Sequence, residues 1–376
     1  MRQSAAYDVV VFGGGPAGAA AALTLSRHGN WTVALVARDG GDEASSRRSG
    51  PEAQTLSPGV DALFGYLGIA DAFASAAHPR LFGTAAAWGS NVPRSRDFIF
   101  SPFGAGWHLD RGRFDRMLTD AAAAAGATIL DAVALTDRPV RFDRRSGTWG
   151  LSLGRRGGAA ETIRTRFLVD ATGRQSRLAR RLGVPRARID RLVAVSATLS
   201  RLGAADRTTF VEASEHGWWY ATPGAAGLTV AFLSDADVVR KTSMTAPAVW
   251  ERALASTLHL CERTRGLSLS GSLRIHAADS SRLAQAAGEG WIAAGDAAAA
   301  HDPLSSSGVP RALASGASAA HAIDTYLRSN RCDALDAYAA AQVRDFDAYA
   351  RMRSAYYAVE RRWPSAPFWS RRHAHA

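Results

Sequence analysis

The chain has 376 residues, 47% hydrophobic and 21% charged, a balance that supports a sizeable packed core and excludes a disordered or collagen-like chain. Lys and Arg number 45 against 34 Asp and Glu, a formal charge of +11, yet the only lysine is Lys241. Two cysteines, Cys261 and Cys332, are too few for a disulfide framework or a zinc cage, so no metal is expected; with no apolar run of about 18 residues and no cleavable leader, stable membrane insertion is not expected and the cytoplasm is the expected location.

Residues 7–12 predict a buried parallel strand, 16–28 a helix and 32–37 a second strand, together a βαβ unit. The polar stretch 38–58 predicts a long loop. A helix is expected over 110–125, with Asp110 as N-cap and Phe114, Leu118 and Ala121 on one face. Strands at 127–130 and 162–169 follow, then a short helix at 175–182. From about 190 to 279 the pattern becomes strand-like at 192–199, 208–213, 218–222 and 228–233, with turns such as Pro223-Gly224 and a helix near 246–258. A buried strand at 291–294 precedes helices over about 308–327 and 333–362. The predicted class is α/β: a Rossmann-like domain of the glutathione-reductase type, an inserted and mainly antiparallel sheet, and C-terminal helices. The expected division is 1–82, 103–190 and 280–335 for the nucleotide-binding domain, 83–102 and 191–279 for the sheet domain, and 336–376 for the C-terminal segment.

Three motifs carry chemistry. Gly13-Gly14-Gly15-Pro16-Ala17-Gly18 lies between a strand and a helix. There Gly13 permits a tight turn, Gly15 lets backbone approach a pyrophosphate, and Gly18 lets helix and strand pack closely. The helix N-terminus then offers free N–H groups to phosphate. The acidic residue that usually holds the ribose falls by spacing on Ala37. Asp39 from a shifted position and Arg38 stacking on adenine are the two alternatives. The second motif, Asp170-Ala171-Thr172-Gly173-Arg174, ends a buried strand. The third is Gly295-Asp296, followed by His301 and by Asp302-Pro303-Leu304-Ser305-Ser306-Ser307-Gly308-Val309. Its carboxylate can accept a ribityl hydroxyl, and the N–H groups of the following helix can stabilise negative charge on a flavin. Each of these last two motifs, taken alone, also reads as ordinary strand-end turn chemistry.

Taken in this order, the set resembles the FAD-dependent oxidoreductases of the glutathione-reductase and para-hydroxybenzoate-hydroxylase type. More narrowly it resembles the branch holding tryptophan halogenases, geranylgeranyl reductases and the LodB/GoxB flavoproteins that mature tryptophan-derived quinone cofactors. Trp107-His108-Leu109-Asp110-Arg111, 217–223 and 363–369 point the same way. The resemblance implies that Arg111 contacts FAD and that Glu52 lies near the flavin, although Glu52 reads equally as a solvated loop carboxylate. A halogenase of this type uses a lysine upstream of the sheet, and residues 1–240 contain none. Its Trp-x-Trp-x-Ile-Pro signature reads here as Trp218-Trp219-Tyr220-Ala221-Thr222-Pro223.

The resemblance therefore implies an FAD monooxygenase in which O2 forms a flavin C4a-hydroperoxide that an aromatic ring attacks. Electrons come from NAD(P)H or a separate flavin reductase, since no second Gly-rich βαβ unit is visible. The expected partner is an aromatic small molecule or a Trp or Tyr side chain of a peptide or protein, acidic if the surplus charge reports on it. Nucleic acid is not expected, because the arginine pairs are scattered. A flavin reductase or desaturase and a non-catalytic assembly factor remain the alternatives. Trp219, Tyr220 and His301 are the candidate catalytic residues, with Trp218 and His216 as further pocket candidates. Because Trp218 and Trp219 occupy opposite faces of a strand, one of them must point away. A structural role is expected for His108.

Overall fold

The computed structural model describes residues 5–37, 53–131, 134–135, 140–154, 160–200, 208–224 and 227–374. The opening strand Ala5–Phe12 carries the continuous run Val9, Val10 and Val11, all fully buried, as a strand covered on both faces requires. It pairs in parallel with Val33–Ala37 on one side and with the long strand Glu161–Asp170 on the other. Thr128–Asp131 extends the parallel sheet beyond Val33–Ala37. The strand Glu161–Asp170 changes neighbours along its length. Its first half pairs antiparallel with Thr148–Gly154, and its last three residues pair in parallel with Trp291–Ala293.

Helix Arg111–Ala124 begins where its chemistry predicts: Asp110 caps it, its carboxylate accepting from the Arg113 N–H at 3.0 Å. Phe114, Leu118 and Ala122 form its buried face. Part of the expected 38–58 loop is instead a strand. Ala53–Leu56 pairs antiparallel with Gly106–Asp110, which also pairs with Arg80–Leu81. Cross-strand hydrogen bonds here override the local polarity of the sequence.

The inserted sheet has seven strands. Leu269–Ala277, Leu192–Leu199, Gly227–Asp235, Gly217–Gly224 and Thr208–Ser214 lie antiparallel in that order, followed by Gly83–Ala87 in parallel and then Arg94–Asp97 at the edge. Helices Gly308–Ser329 and Asp333–Val359 return the chain to the first sheet, and Pro367–His373 ends on the inserted one. Among the described residues no helix is long and apolar enough to cross a membrane.

Candidate active site

Strand register brings the three motifs together. Phe12 lies beside Asp170 and Asp170 beside Ala293, so three strands end level with one another. The Ala171 N–H donates to the Phe12 carbonyl at 2.8 Å, and the Ala294 N–H to the Asp170 carbonyl at 2.9 Å. Ligands of open α/β sheets bind in the crevice beyond such strand ends.

The glycines divide the work as their spacing predicts. Gly13 has φ +113°, and a Cβ there would stand 2.2 Å from the Ala171 carbonyl oxygen. A Cβ on Gly18 would stand 1.9 Å from the Gly13 oxygen. A Cβ on Gly15 would meet nothing within 4 Å. Gly15 therefore faces open space at the head of helix Pro16–His28, which has no side-chain cap and no acidic residue in its first turn. Helix Gly308–Ser329 likewise starts without a side-chain cap or an early acid; the Ser307 hydroxyl turns back to Ser305 at 3.0 Å. The two helices touch through their backbones, since a Cβ on Gly316 would stand 2.1 Å from the Ala17 oxygen. Gly295, at φ +60°, packs between Ala17 and Ala312. Val309 is buried in the same core, while Pro303 and Gly308 are exposed at the loop. An open glycine at one uncapped N-terminus, with a second uncapped helix packed against the first, fits a diphosphate-linked dinucleotide such as FAD.

The two motif carboxylates do different work. Asp170 is fully buried. One of its oxygens accepts from the Thr172 hydroxyl and N–H at 2.6 and 3.0 Å, the other from the Ala179 N–H at 2.8 Å. Its carboxylate thus holds the turn containing Gly173, whose φ is +66° and whose Cβ direction is open, and does not itself face the crevice. Asp296 is about one-third exposed (35%) and lies 3.5 Å from the Arg174 guanidinium. Arg174 also donates to the carbonyls of Asp279 and His301. Arg186, which the sequence did not single out, donates to the carbonyls of Asp296 and Ala297, each at 2.8 Å, and to the Ser176 hydroxyl at 2.6 Å. These two guanidiniums fix the Gly295-Asp296 turn from behind.

The next loop is anchored by helix Asp333–Val359. The Asp302 N–H donates to the Tyr349 hydroxyl at 2.7 Å, and the Tyr357 hydroxyl donates to the Asp302 carboxylate at 2.6 Å. The indole N–H of Trp218, on the inserted sheet, donates to the same Tyr357 oxygen at 3.1 Å. His301 is buried, stacked on Tyr349 with ring centroids 3.6 Å apart, and neither ring nitrogen has a hydrogen-bond partner among the described residues. Burial, with the Arg311 and Arg174 charges, pushes its pKa down to about 2. In the chain without cofactor it therefore stays neutral near neutral pH, where a proton relay would titrate. Between about pH 2 and its ordinary value of 6.5, the unfolded chain takes up a proton that the folded chain refuses. Stability at this residue is thus full above pH 6.5 and falls by about 1.4 kcal/mol for each pH unit below it. His301→Phe is expected to flatten the loss of stability between pH 7 and 5 by that order, read from urea unfolding at both pH values; equal slopes in the two proteins would refute it.

The remaining candidates separate by strand face. Trp219 is not at the crevice: it packs against Phe232 and Trp250, at 4.9 and 5.3 Å between centroids, in the core behind the inserted sheet. Tyr220 and Thr222 lie on the opposite face with Trp218. Tyr220 lies among the Thr55, Thr222 and Thr209 hydroxyls, and burial raises its pKa. The Thr222 hydroxyl meets His108 Nδ1 at 3.3 Å. His216 sits in the exposed turn before Gly217. The Arg111 guanidinium is anchored by Asp115, at 3.1 Å, and by the Gln54 side-chain oxygen at 2.6 Å. Arg38, Asp39 and Glu52 lie outside the described residues. Lys241 ends the exposed side of helix Ala236–Lys241.

Residues 6–347 match the family model described as an FAD binding domain. The chain belongs to that family, the FAD-dependent oxidoreductases that this fold and crevice define. It is 31% identical to the FAD-dependent oxidoreductase LodB of Marinomonas mediterranea, over 98% of this chain and 97% of that one. The solved flavin-dependent halogenase CmlS superposes with a TM-score of 0.80 at 26% identity, over 99% of this chain and 68% of that one. QhpG, a peptidyl tryptophan dihydroxylase essential for tryptophylquinone cofactor biogenesis, superposes with a TM-score of 0.70 at 24% identity, over 98% of this chain and 79% of that one.

Proposed function

We propose that this oxidoreductase is a monooxygenase that hydroxylates an electron-rich aromatic ring, a Trp or Tyr side chain in a peptide or protein. The fold is shared by a halogenase and a hydroxylase and does not choose between them. The observation that carries the reading is the missing amine: no lysine precedes Lys241, which is exposed beyond the inserted sheet. Halogen transfer of the resembled type needs a lysine at the site, whereas oxygen transfer does not. The near full-length likeness to LodB supports the same choice.

Bound reduced FAD, with O2, supplies one oxygen atom to the ring; the other leaves as water, and two electrons come from NAD(P)H directly or through a reductase. The helix N-termini at Gly15 and Gly308 hold the cofactor's negative charge. Asp170, Arg174 and Arg186 fix the turns around it. The Tyr220, Thr222 and His108 face orients the ring and keeps water out. Enzyme loaded with FAD is incubated with NADPH, a flavin reductase, labelled O2 and Trp- or Tyr-containing peptides, with and without bromide. Gain of one labelled oxygen is the expected result. Bromine incorporation, or a product formed equally well without O2, would overturn the reading.

A further inference from the structure

Residues 80–104 hold the most exposed apolar side chains of the described chain. Ile99 is 84% exposed, Phe100 87%, Phe103 66% and Phe82 54%. Isolated apolar residues on a surface need no explanation, but four of them in one short segment mark an interaction site. The segment also carries exposed positive charge. Arg94 and Arg96 are exposed, share a strand face and make no ion pair among the described residues. Arg80 is exposed beside Phe82, its guanidinium over the Trp107 ring at 4.6 Å. Within 80–104 the only acidic residue is Asp97.

Arg94–Asp97 is the last strand of the seven-stranded sheet, so its outer backbone groups have no strand partner among the described residues. Such an edge is a template for an added strand. The patch is joined to the site along the chain. Phe103 packs over Gly59, and three residues later begins the strand Gly106–Asp110, which carries His108 to Thr222.

We propose that the edge strand Arg94–Asp97 and the Ile99, Phe100 and Phe103 cluster form the docking surface for an acidic polypeptide that carries the aromatic side chain to be oxidised. This rests on the reading of the site as acting on a peptide or protein. The arginines steer the acidic chain, the apolar side chains anchor it, and the strand edge sets its direction.

The probe is a fluorescein-labelled random copolymer of glutamate and tyrosine, added to the oxidised, FAD-loaded full chain and followed by anisotropy. Binding is expected to weaken as salt rises. Ile99→Ser with Phe100→Ser and Phe103→Ser should weaken it about tenfold or more, and Arg94→Glu with Arg96→Glu should do the same and flatten the salt dependence. Because these side chains are exposed, FAD content and melting temperature should match wild type in both variants. Wild-type protein that ignores the copolymer, or variants that bind it as wild type does, would overturn the proposal. So would a wild-type dimer that the serine variant converts to monomer, since a second copy would then occupy the patch. No turnover is needed, so the surface can stand if the oxygenase reading fails. Equal oxygenation of a free indole by wild type and both variants, without copolymer binding, would overturn the surface and leave that reading intact.

Discussion

Gly15→Val is expected to abolish FAD binding while leaving the apoprotein folded. Nothing in the chain lies within 4 Å of the position a Cβ would take there, so the new side chain costs little in packing. It projects instead into the space the cofactor's diphosphate would occupy, at an uncapped helix N-terminus. The expected loss of FAD affinity is on the order of a hundredfold or more, because a β-branched side chain displaces the charged group from its N–H donors. Gly18→Ala should behave in the opposite way. Alanine ordinarily favours a helix by about 1 kcal/mol, but here its Cβ would stand 1.9 Å from the Gly13 oxygen. Helix and strand must separate, at a cost of about 1–3 kcal/mol to the apoprotein itself. FAD titration by fluorescence quenching, paired with urea unfolding of the cofactor-free protein, separates the two effects. A Gly15→Val protein that keeps wild-type FAD content would remove this crevice as the cofactor site.

Arg372→Ala is the substitution expected to cost most stability. Asp235, at the end of an inserted strand, is almost wholly buried and accepts from Arg372 at 2.8 and 3.2 Å and from Arg371 at 2.8 Å. Arg372 is buried too, its guanidinium 3.5 Å from the centre of the Phe368 ring and 4.9 Å from that of Tyr357. Removing it leaves a buried carboxylate with one half-exposed partner, which typically costs about 3–5 kcal/mol. Arg372→Met combined with Asp235→Leu should recover most of that loss, because both charges go together, and Arg371 keeps Asp237 at 2.7 Å. The damage should also spread. Pro367–His373 seals the face where Trp218, Tyr357 and Trp369 pack, and Tyr357 holds Asp302 at the Pro303–Gly308 loop. A bound flavin's visible spectrum should therefore shift in Arg372→Ala. Chemical denaturation of the two variants tests the energetic claim, and equal stability of Arg372→Ala and wild type would refute it.

Local signals carried much of this protein. The run of β-branched residues before Gly13, the glycine spacing and the Asp110 cap each act within a few residues, so each was legible without a fold. The inserted strands were legible because alternation and turn residues are local too. The strand Ala53–Leu56 was not, since its hydrogen bonds come from a segment some fifty residues away. The same limit applies to Arg186, Tyr349 and Tyr357. An arginine on a short strand and two tyrosines on a long helix carry no local mark, and only folding sets them against the Gly295-Asp296 turn and Asp302.

The single lysine has the same double character. Its absence from residues 1–240 is a fact of the sequence and is independent of any fold. That the aromatic run at 218–220 sends Trp218 and Tyr220 one way and Trp219 the other follows from strand alternation, and was expected. What each face meets was decided by packing: helix Pro247–Ala255 brings Trp250 against Trp219, while helix Asp333–Val359 brings Tyr357 to Trp218. The cofactor class was legible in the linear chain, because phosphate recognition uses a short backbone motif. The set of side chains gathered on the Tyr220 face came from folding, because Thr55, His108, Thr209 and Thr222 lie on strands far apart in the chain.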